Sequence, residues 1–210
     1  MLMLMLFWAC TQGEHSNDAL VSTVNPSLFT TEDLLCAGNV TEIDVLSYDA
    51  SKLQGRDVVV VHKSKRSIAH YKKGVLREGA CWPVGLGFTP EGHKQREGDG
   101  KTPEGWYTIA DWPPSQYYGA MILFYPNLSD VEQGVKDGRL SSGQAKKIKN
   151  QLRSGLLPKQ NSPLGGQLLI HGGGSSADWT LGCVAMDNDA IDMLRAGLGA
   201  DKRAELLVLP

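Results

Sequence analysis

Apolar residues in this chain occur in short runs that are separated by glycine, proline and charged residues. The run Asp57–His62 is β-branched at every interior position, which predicts a buried strand. The next run, Ser67–Lys72, alternates between apolar and polar positions and predicts the hairpin partner of that strand. Further strands are predicted over Val75–Val84, Gly105–Ile109, Ala120–Tyr125, Gln167–Ile170 and Ala204–Leu209.

Two segments have helical patterns. Ser141–Ser154 begins with a serine that can cap a helix, has apolar residues on one face and is followed by Gly155 as a stop signal. A second helix is predicted from Asp187 or Asn188 to about Arg195. The predicted strands outnumber the helices and do not alternate with them, so we expect a mainly β fold with one or two helices.

The composition narrows the class of protein. The 210 residues include 41% apolar residues, which is enough for a folded domain with a core. The 24 glycines and 10 prolines favour a turn-rich β fold. The formal net charge is −2 and no basic stripe is present, so nucleic acid is excluded as the main partner.

The first nine residues form an unbroken apolar run that ends at Cys10. This run is too short to cross a bilayer, but it is similar to the end of an export signal in which Cys10 is the lipidated residue. The alternative is an N-terminal tail with a docking role. We expect residues 1–33 to be a lipoprotein-like leader and tether, residues 34–210 to be the catalytic domain, and the protein to be exported to the periplasm or cell envelope.

The four cysteines lack the paired spacing of a zinc site. Cys36 and Cys81 can form a disulfide if the protein is exported, and otherwise they are two buried thiols. A zinc site built from His93, His171 and Cys183 lacks a paired ligand motif, and we expect no metal and no cofactor.

His171 and Cys183 lie twelve residues apart, and each is embedded in glycine-rich sequence. A cysteine reacts as its thiolate, and a neighbouring imidazole either lowers the pKa of the thiol or takes its proton. The pair therefore predicts acyl transfer through a thioester. Papain-like peptidases have cysteine before histidine, so the order found here argues against that class.

Glycines next to this pair have predicted roles. Gly182 allows a substrate carbonyl to approach, and the backbone N–H groups of Gly182 and Cys183 are candidates for an oxyanion hole. A carbonyl of Gly172 or Gly173 is expected to orient the imidazole of His171.

The segments Ile170–Gly172 and Thr180–Met186 resemble the signature of bacterial L,D-transpeptidases with a YkuD-type catalytic domain. Three further blocks agree with the same family and occur in the same order. They are Val84–Gly87, Glu97–Tyr107 with its Lys-Thr-Pro-Glu-Gly segment, and Phe124–Asn127 with its Tyr-Pro-Asn segment. The resemblance covers residues 57–209.

The resemblance implies a YkuD-type β-sandwich and an enzyme that acts on peptidoglycan stem tetrapeptides. Cys183 is then the nucleophile that displaces terminal D-alanine, and His171 is the general base and later the acid. Thr180 belongs to the positioning residues of the site. Tyr125 is a candidate for lining the substrate groove, and the alternative is that it is a core aromatic residue. Trp179 is a candidate for contact with the substrate, and the alternative is that it holds the loop before Cys183. Expected partners are peptidoglycan stem peptides and a wall-linked lipoprotein.

Two positions depart from the commonest form of the motif. Leu181 stands where histidine is frequent, and Ala185 stands where arginine is frequent. A hydrolytic relative that releases a wall-linked lipoprotein also has alanine after the motif. Transfer to an amine and hydrolysis therefore stay open, and a catalytically silent wall-binding module is the third alternative.

Overall fold

Eight strands and three helices follow one another in a computed structural model, which describes Cys36, residues 57–112 and residues 116–210. The predicted leader, residues 1–33, and Cys10 lie outside the described residues. The elements are β1 (Asp57–His62), β2 (Ser67–Lys72), β3 (Val75–Pro83), β4 (Gly105–Asp111), β5 (Ala120–Leu123), α1 (Leu128–Lys136), α2 (Ser142–Arg153), β6 (Leu169–His171), β7 (Val184–Ala185), α3 (Asn188–Gly197) and β8 (Arg203–Leu209).

All eight strands belong to one sheet, in the order β3-β2-β1-β8-β4-β5-β6-β7. The pairs β1–β8 and β6–β7 are parallel and the others are antiparallel. Beyond β3, Gly85 exchanges two backbone hydrogen bonds of 2.8 and 2.9 Å with Ala185 in β7. The sheet therefore curls until its two ends meet, and the predicted sandwich is one continuous sheet that encloses a core.

The strand β1 has apolar residues at successive positions because both faces of the sheet are covered there. Val59 and Val61 belong to the main core inside the curled sheet, with Ile68, Ile109 and Leu206. A second buried cluster lies on the opposite face and contains Val58, Val60, Ala69, Tyr71, Leu207 and Leu209. Side chains alternate between the faces of a strand, so a strand covered on both sides needs a continuous apolar run.

The mainly β fold is confirmed, with three helices where one or two were predicted. The additional helix is α1, which begins after Asn127 with a capping box: the Asn127 side chain accepts from the Asp130 amide, and the Asp130 side chain accepts from the Asn127 amide. This helix has nine residues, and Val131 is the only apolar side chain among its three buried residues, so few buried apolar positions mark it in the sequence. The strand β7 has two residues and is too short to show a pattern.

A disulfide joins Cys36 to Cys81 in β3, which decides between the two alternatives left open for these cysteines. The bond fastens residue 36 to the strand that leads into Gly85. In the described part of the chain, no helix has the length and apolar character needed to span a membrane.

Candidate active site

The parallel pair β6–β7 brings the two reactive residues together. Its register pairs Ile170 with Val184 and His171 with Ala185, so Cys183 lies beside Leu169. Paired residues of parallel strands point to the same face, and every second residue of a strand does so as well. The side chains of His171 and Cys183 therefore lie on one face of the sheet, offset by two residues along the strands.

The imidazole of His171 is oriented by its own loop. Its Nδ1 atom lies 2.6 Å from the carbonyl oxygen of Gly172. Since a carbonyl oxygen only accepts, Nδ1 carries the proton and the neutral ring has its lone pair on Nε2. The ring is buried, and burial lowers its pKa below the ordinary value of 6.5. His171 is therefore a neutral base at neutral pH.

The thiol of Cys183 is half-buried and protonated in the resting site. Burial raises its pKa above the ordinary value, while the amide of Leu169 and the charge of Lys94 oppose that shift. The Leu169 N–H donates to Sγ over 3.4 Å. A neutral thiol and a neutral imidazole on one face of the sheet suit proton transfer to the base during nucleophilic attack.

Thr180 fixes the backbone on either side of Cys183. Its hydroxyl donates to the carbonyl oxygen of Cys183 at 2.8 Å and accepts from the amide of Gly182 at 3.1 Å. The expectation that the Gly182 N–H contributes to an oxyanion hole is therefore wrong, because a buried hydroxyl already binds it. Within the described residues, the amide of Cys183 has no hydrogen-bond acceptor. Of the two amides predicted for the oxyanion hole, it is therefore the one that remains a candidate.

Glycine is required at position 182 because of its backbone conformation and because there is no room for a side chain. Its φ of +125° lies in the region that favours glycine, and a Cβ at this position would lie 2.5 Å from the carbonyl oxygen of Lys101. The Lys101–Pro103 part of the Lys-Thr-Pro segment thus packs directly under the cysteine loop. The hydroxyl of Thr102 in the same segment accepts from the Gly87 amide at 3.3 Å.

Gly172 and Gly173 fasten the histidine loop to its neighbours. The Gly172 amide donates to the carbonyl of Tyr118 at 2.6 Å, and the Gly173 amide donates to the Asn188 side chain at 3.0 Å. A Cβ on Gly172 would lie 2.6 Å from both of these acceptor oxygens. Of the two carbonyls considered from the sequence, the one that contacts the imidazole is that of Gly172.

Asp178 links the cysteine loop to the β1–β2 turn. Its carboxylate accepts from Arg66 Nε and Nη2 at 2.9 and 2.7 Å, and from the Leu86 amide at 2.9 Å. Arg66 and Asp178 are 112 residues apart in the chain, and no local motif marks Arg66 as part of the site. Arg66 was therefore not identified from the sequence as part of the site.

Two aromatic residues surround the imidazole. The ring of Tyr117 stacks on that of His171 with centroids 4.3 Å apart and an interplanar angle of 18°. Trp179 stands edge-on to both rings, 5.5 Å from His171 and 5.6 Å from Tyr117. Trp179 is 39% exposed, so contact between this residue and a substrate remains a prediction. Tyr117 was not identified from the sequence.

Tyr125 is a core residue. Its side chain is fully buried, and its hydroxyl donates to the Leu164 carbonyl at 3.0 Å. The ring packs against Tyr107 with centroids 6.0 Å apart, and burial raises the pKa of its hydroxyl well above the ordinary value. The prediction of substrate contact for Tyr125 is wrong, because its side chain is fully buried and its hydroxyl is bound to a backbone carbonyl.

A cleft of about 670 Å³ opens elsewhere, between β4, β8 and the start of α1. His93 lies there with Nε2 2.9 Å from Asp130, and its Nδ1 accepts from the Glu104 amide. Both ring nitrogens are thus used away from His171 and Cys183. The described residues hold no group of three or more histidine, cysteine, aspartate or glutamate side chains suited to a metal ion.

The chain is similar to solved structures and matches one family model. No curated protein matches the chain. Among solved structures, it is similar to the helical cell shape determining protein Pgp2 from Campylobacter jejuni, with 24% identity, a TM-score of 0.51, and coverage of 74% of this chain and 48% of that one. It is also similar to Bd1075 from Bdellovibrio bacteriovorus, with 20% identity, a TM-score of 0.45, and coverage of 77% and 50%. The chain thus spans about half the length of these proteins.

The likeness extends to an L,D-transpeptidase from Mycobacterium tuberculosis H37Rv, with 12% identity, a TM-score of 0.43, and coverage of 74% of this chain and 58% of that one. At 24% identity, the likeness to Pgp2 shows the fold alone. The family model of the L,D-transpeptidase catalytic domain, YkuD, matches residues 56–197 and includes both reactive segments. The chain therefore belongs to the YkuD family of L,D-transpeptidase catalytic domains.

Proposed function

We propose that this protein is a cysteine-dependent L,D-transpeptidase that acts on peptidoglycan stem tetrapeptides. The observation that carries the proposal is the β6–β7 register, which sets Cys183 and His171 on one face of the sheet with Nδ1 of the imidazole bound to the Gly172 carbonyl. Family membership supports a role in the cell wall.

The reaction begins when Sγ of Cys183 attacks the carbonyl carbon of the diamino-acid residue that precedes D-alanine. The thiol proton passes to Nε2 of His171, since Nδ1 is occupied by the Gly172 carbonyl. The Cys183 amide donates to the oxygen that becomes negative in the tetrahedral intermediate. When the C–N bond breaks, the His171 imidazolium gives its proton to the departing D-alanine amine, and a thioester remains.

The second half of the reaction depends on what attacks the thioester. An amine from another stem gives a crosslink, while water gives a shortened stem, and both release the thiol of Cys183. Hydrolysis is the second candidate, because Ala185 stands where the commonest transpeptidase motif has arginine. The structure gives this departure a location: Ala185 is fully buried and pairs with His171 in the sheet.

We also propose that the protein works in an oxidising compartment of the cell envelope. The Cys36–Cys81 disulfide supports this, since such bonds persist in exported proteins and are rare in the reducing cytosol. Lipidation of Cys10 is the matching proposal for membrane attachment. Mass spectrometry of the protein extracted from membranes tests it, and an unmodified Cys10 would contradict it.

The test of function is a product assay. The purified protein is incubated with a disaccharide-tetrapeptide, and the products are identified by mass spectrometry, with Cys183→Ala as the matched control. A crosslinked dimer with loss of D-alanine supports transfer, and loss of D-alanine without a dimer supports the hydrolytic candidate. If neither free stems nor lipoprotein-linked wall fragments change, the enzymatic proposal fails and a wall-binding module is favoured.

A further inference from the structure

The ring of Tyr117 stacks on one face of the His171 imidazole. The two rings are nearly parallel at 18°, and their centroids are 4.3 Å apart, which is shorter than either distance to Trp179. One hydrogen bond to the Gly172 carbonyl fixes the position of Nδ1 but leaves the plane of the imidazole free to tilt. A ring stacked over the imidazole fixes that plane.

We propose that Tyr117 is a positioning residue that holds the plane of the His171 ring and shields one face of it from water. The proposal rests on the proposed function, because it concerns the base of that reaction. Tyr117 acts through His171, and we assign it no contact with the substrate.

The backbone that carries Tyr117 is anchored well enough for this role. The carbonyl of the next residue, Tyr118, accepts from the Gly172 amide at 2.6 Å. The hydroxyl of Tyr118 donates to Asp192 on α3. The hydrogen bond between Gly172 and Tyr118 ties the segment that carries Tyr117 to the loop that presents His171.

Trp179 packs against both the Tyr117 ring and the His171 ring. Its edge faces both rings, and its Nε1 donates to the Gly174 carbonyl at 3.2 Å. With both aromatic rings in place, the imidazole is only 1% exposed. Burial lowers the pKa of His171, so removal of the stacked ring is expected to let water reach the imidazole and to raise that pKa.

Burial, and not a neighbouring charge among the described residues, lowers the pKa of His171. The ring of Tyr117 stacks on it, and Cys183 lies on the same face of the sheet. Three carboxylates on surrounding segments are each bound to another partner: Asp178 to Arg66, Asp187 to Ser175 and Asp192 to Tyr118. The stacked ring is therefore the feature whose removal changes the exposure of His171 without a change in charge.

The experiment compares Tyr117→Leu with the matched control Tyr117→Phe, which keeps the stacked ring, in the full-length protein. Titration of His171 by NMR is expected to give a pKa closer to 6.5 for Tyr117→Leu and a wild-type pKa for Tyr117→Phe. The upfield ring-current shift of the imidazole protons is expected to disappear only in Tyr117→Leu. The acid limb of kcat/KM against pH should move upward in the same variant.

Two results overturn the proposal: a folded Tyr117→Leu variant with the wild-type pKa of His171, or a Tyr117→Phe variant that behaves like Tyr117→Leu. If Tyr117→Leu does not fold, Tyr117→Met is measured in its place and judged by the same two criteria. The NMR titration needs no substrate. A failure of the proposed function would instead appear as a wild-type protein whose Cys183 forms no acyl adduct with a carbapenem.

Discussion

The hydroxyl of Thr180 donates a hydrogen bond to the carbonyl of Cys183, three residues further along the same loop, at 2.8 Å. The same oxygen accepts from the Gly182 amide, so one side chain fixes the peptide units on both sides of the nucleophile. The direction of the Cys183 amide, the remaining donor for the substrate oxygen, therefore depends on Thr180.

Thr180→Val keeps the shape of the side chain and removes both hydrogen bonds. It leaves the buried Gly182 amide without an acceptor, which costs about 1–3 kcal/mol. We expect acylation of Cys183 by a carbapenem, followed by mass spectrometry, to slow by about tenfold or more. Thr180→Ser keeps the hydroxyl and is the control. Equal rates for the valine and serine variants would contradict this role.

The pH dependence of activity follows from His171. The imidazole acts as a base only when it is neutral, and burial lowers its pKa below 6.5. We expect kcat/KM to be constant through neutral pH and to fall only at a pH below 6.5. Because burial raises the pKa of the Cys183 thiol, ionisation of that thiol does not intrude near neutrality. His171→Ala should slow acylation by about 10²–10⁴-fold, as expected for loss of a general base.

Buried histidines also make stability depend on pH. Burial lowers the pKa of both His171 and His70, so the unfolded chain binds more protons than the folded chain at acidic pH. Their contribution is complete above about 6.5, the unfolded value, and is lost as the pH falls from there toward the lowered folded values. Urea unfolding between pH 5 and pH 8 measures the effect, in a range chosen around that ordinary histidine pKa.

The histidine contribution is isolated with His70→Asn. His70 is fully buried, with Nε2 3.1 Å from Asp57 and Nδ1 accepting from Arg77. This variant is expected to lose part of the pH dependence of the free energy of unfolding. A slope identical to that of the wild type would show that His70 is not one of the groups responsible.

Gly182→Ala tests the close approach under the cysteine loop. The added Cβ would lie 2.5 Å from the Lys101 carbonyl oxygen, at a φ of +125°. Gly174→Ala is the matched control, because Gly174 has a φ of +115° and nothing within 4 Å of its added Cβ. Backbone strain of about 1–3 kcal/mol is common to both variants. We expect Gly182→Ala alone to abolish acylation of Cys183, and equal acylation in the two variants would count against the packing argument.

The two contacts of Asp178, with the Leu86 amide and with Arg66, can be tested separately. Asp178→Ala leaves the buried Leu86 amide without an acceptor, which is expected to lower the free energy of unfolding by about 1–3 kcal/mol. Asp178→Asn keeps an oxygen for that amide and loses only the charge pair with Arg66. Since the Arg66 side chain is 40% exposed, that loss should not exceed about 1 kcal/mol. If Asp178→Asn is as unstable as Asp178→Ala, the loss of stability is due to the ion pair with Arg66.

The fold was predictable where one local rule decides the outcome. The strand β1 is covered on both faces and is therefore apolar throughout, and α2 has the predicted serine cap, here Ser141 with Gln144 in a capping box. The glycine-rich context of His171 and Cys183 and the chemistry of a thiol with an imidazole identified the pair, and the family resemblance agreed with it. The role of Tyr125 was predicted wrongly, because a buried hydroxyl and an exposed one give the same letter in a sequence.

The missing parts of the site depend on contacts between distant segments. Arg66 reaches Asp178 across 112 residues, and Tyr117 reaches His171 from a segment with no regular structure. No pattern within either segment predicts these pairs. The Gly182 amide was assigned to a substrate because the sequence does not show that the Thr180 hydroxyl turns toward it.

The seam at which the curled sheet closes limits how a substrate can be held. Gly85 and Ala185 use their backbone N–H and C=O groups on each other, directly beyond the nucleophile. A peptide cannot bind at this point by adding itself as another strand. Recognition is left to side chains and loop amides, which do not require the regular L-residue backbone that strand addition needs.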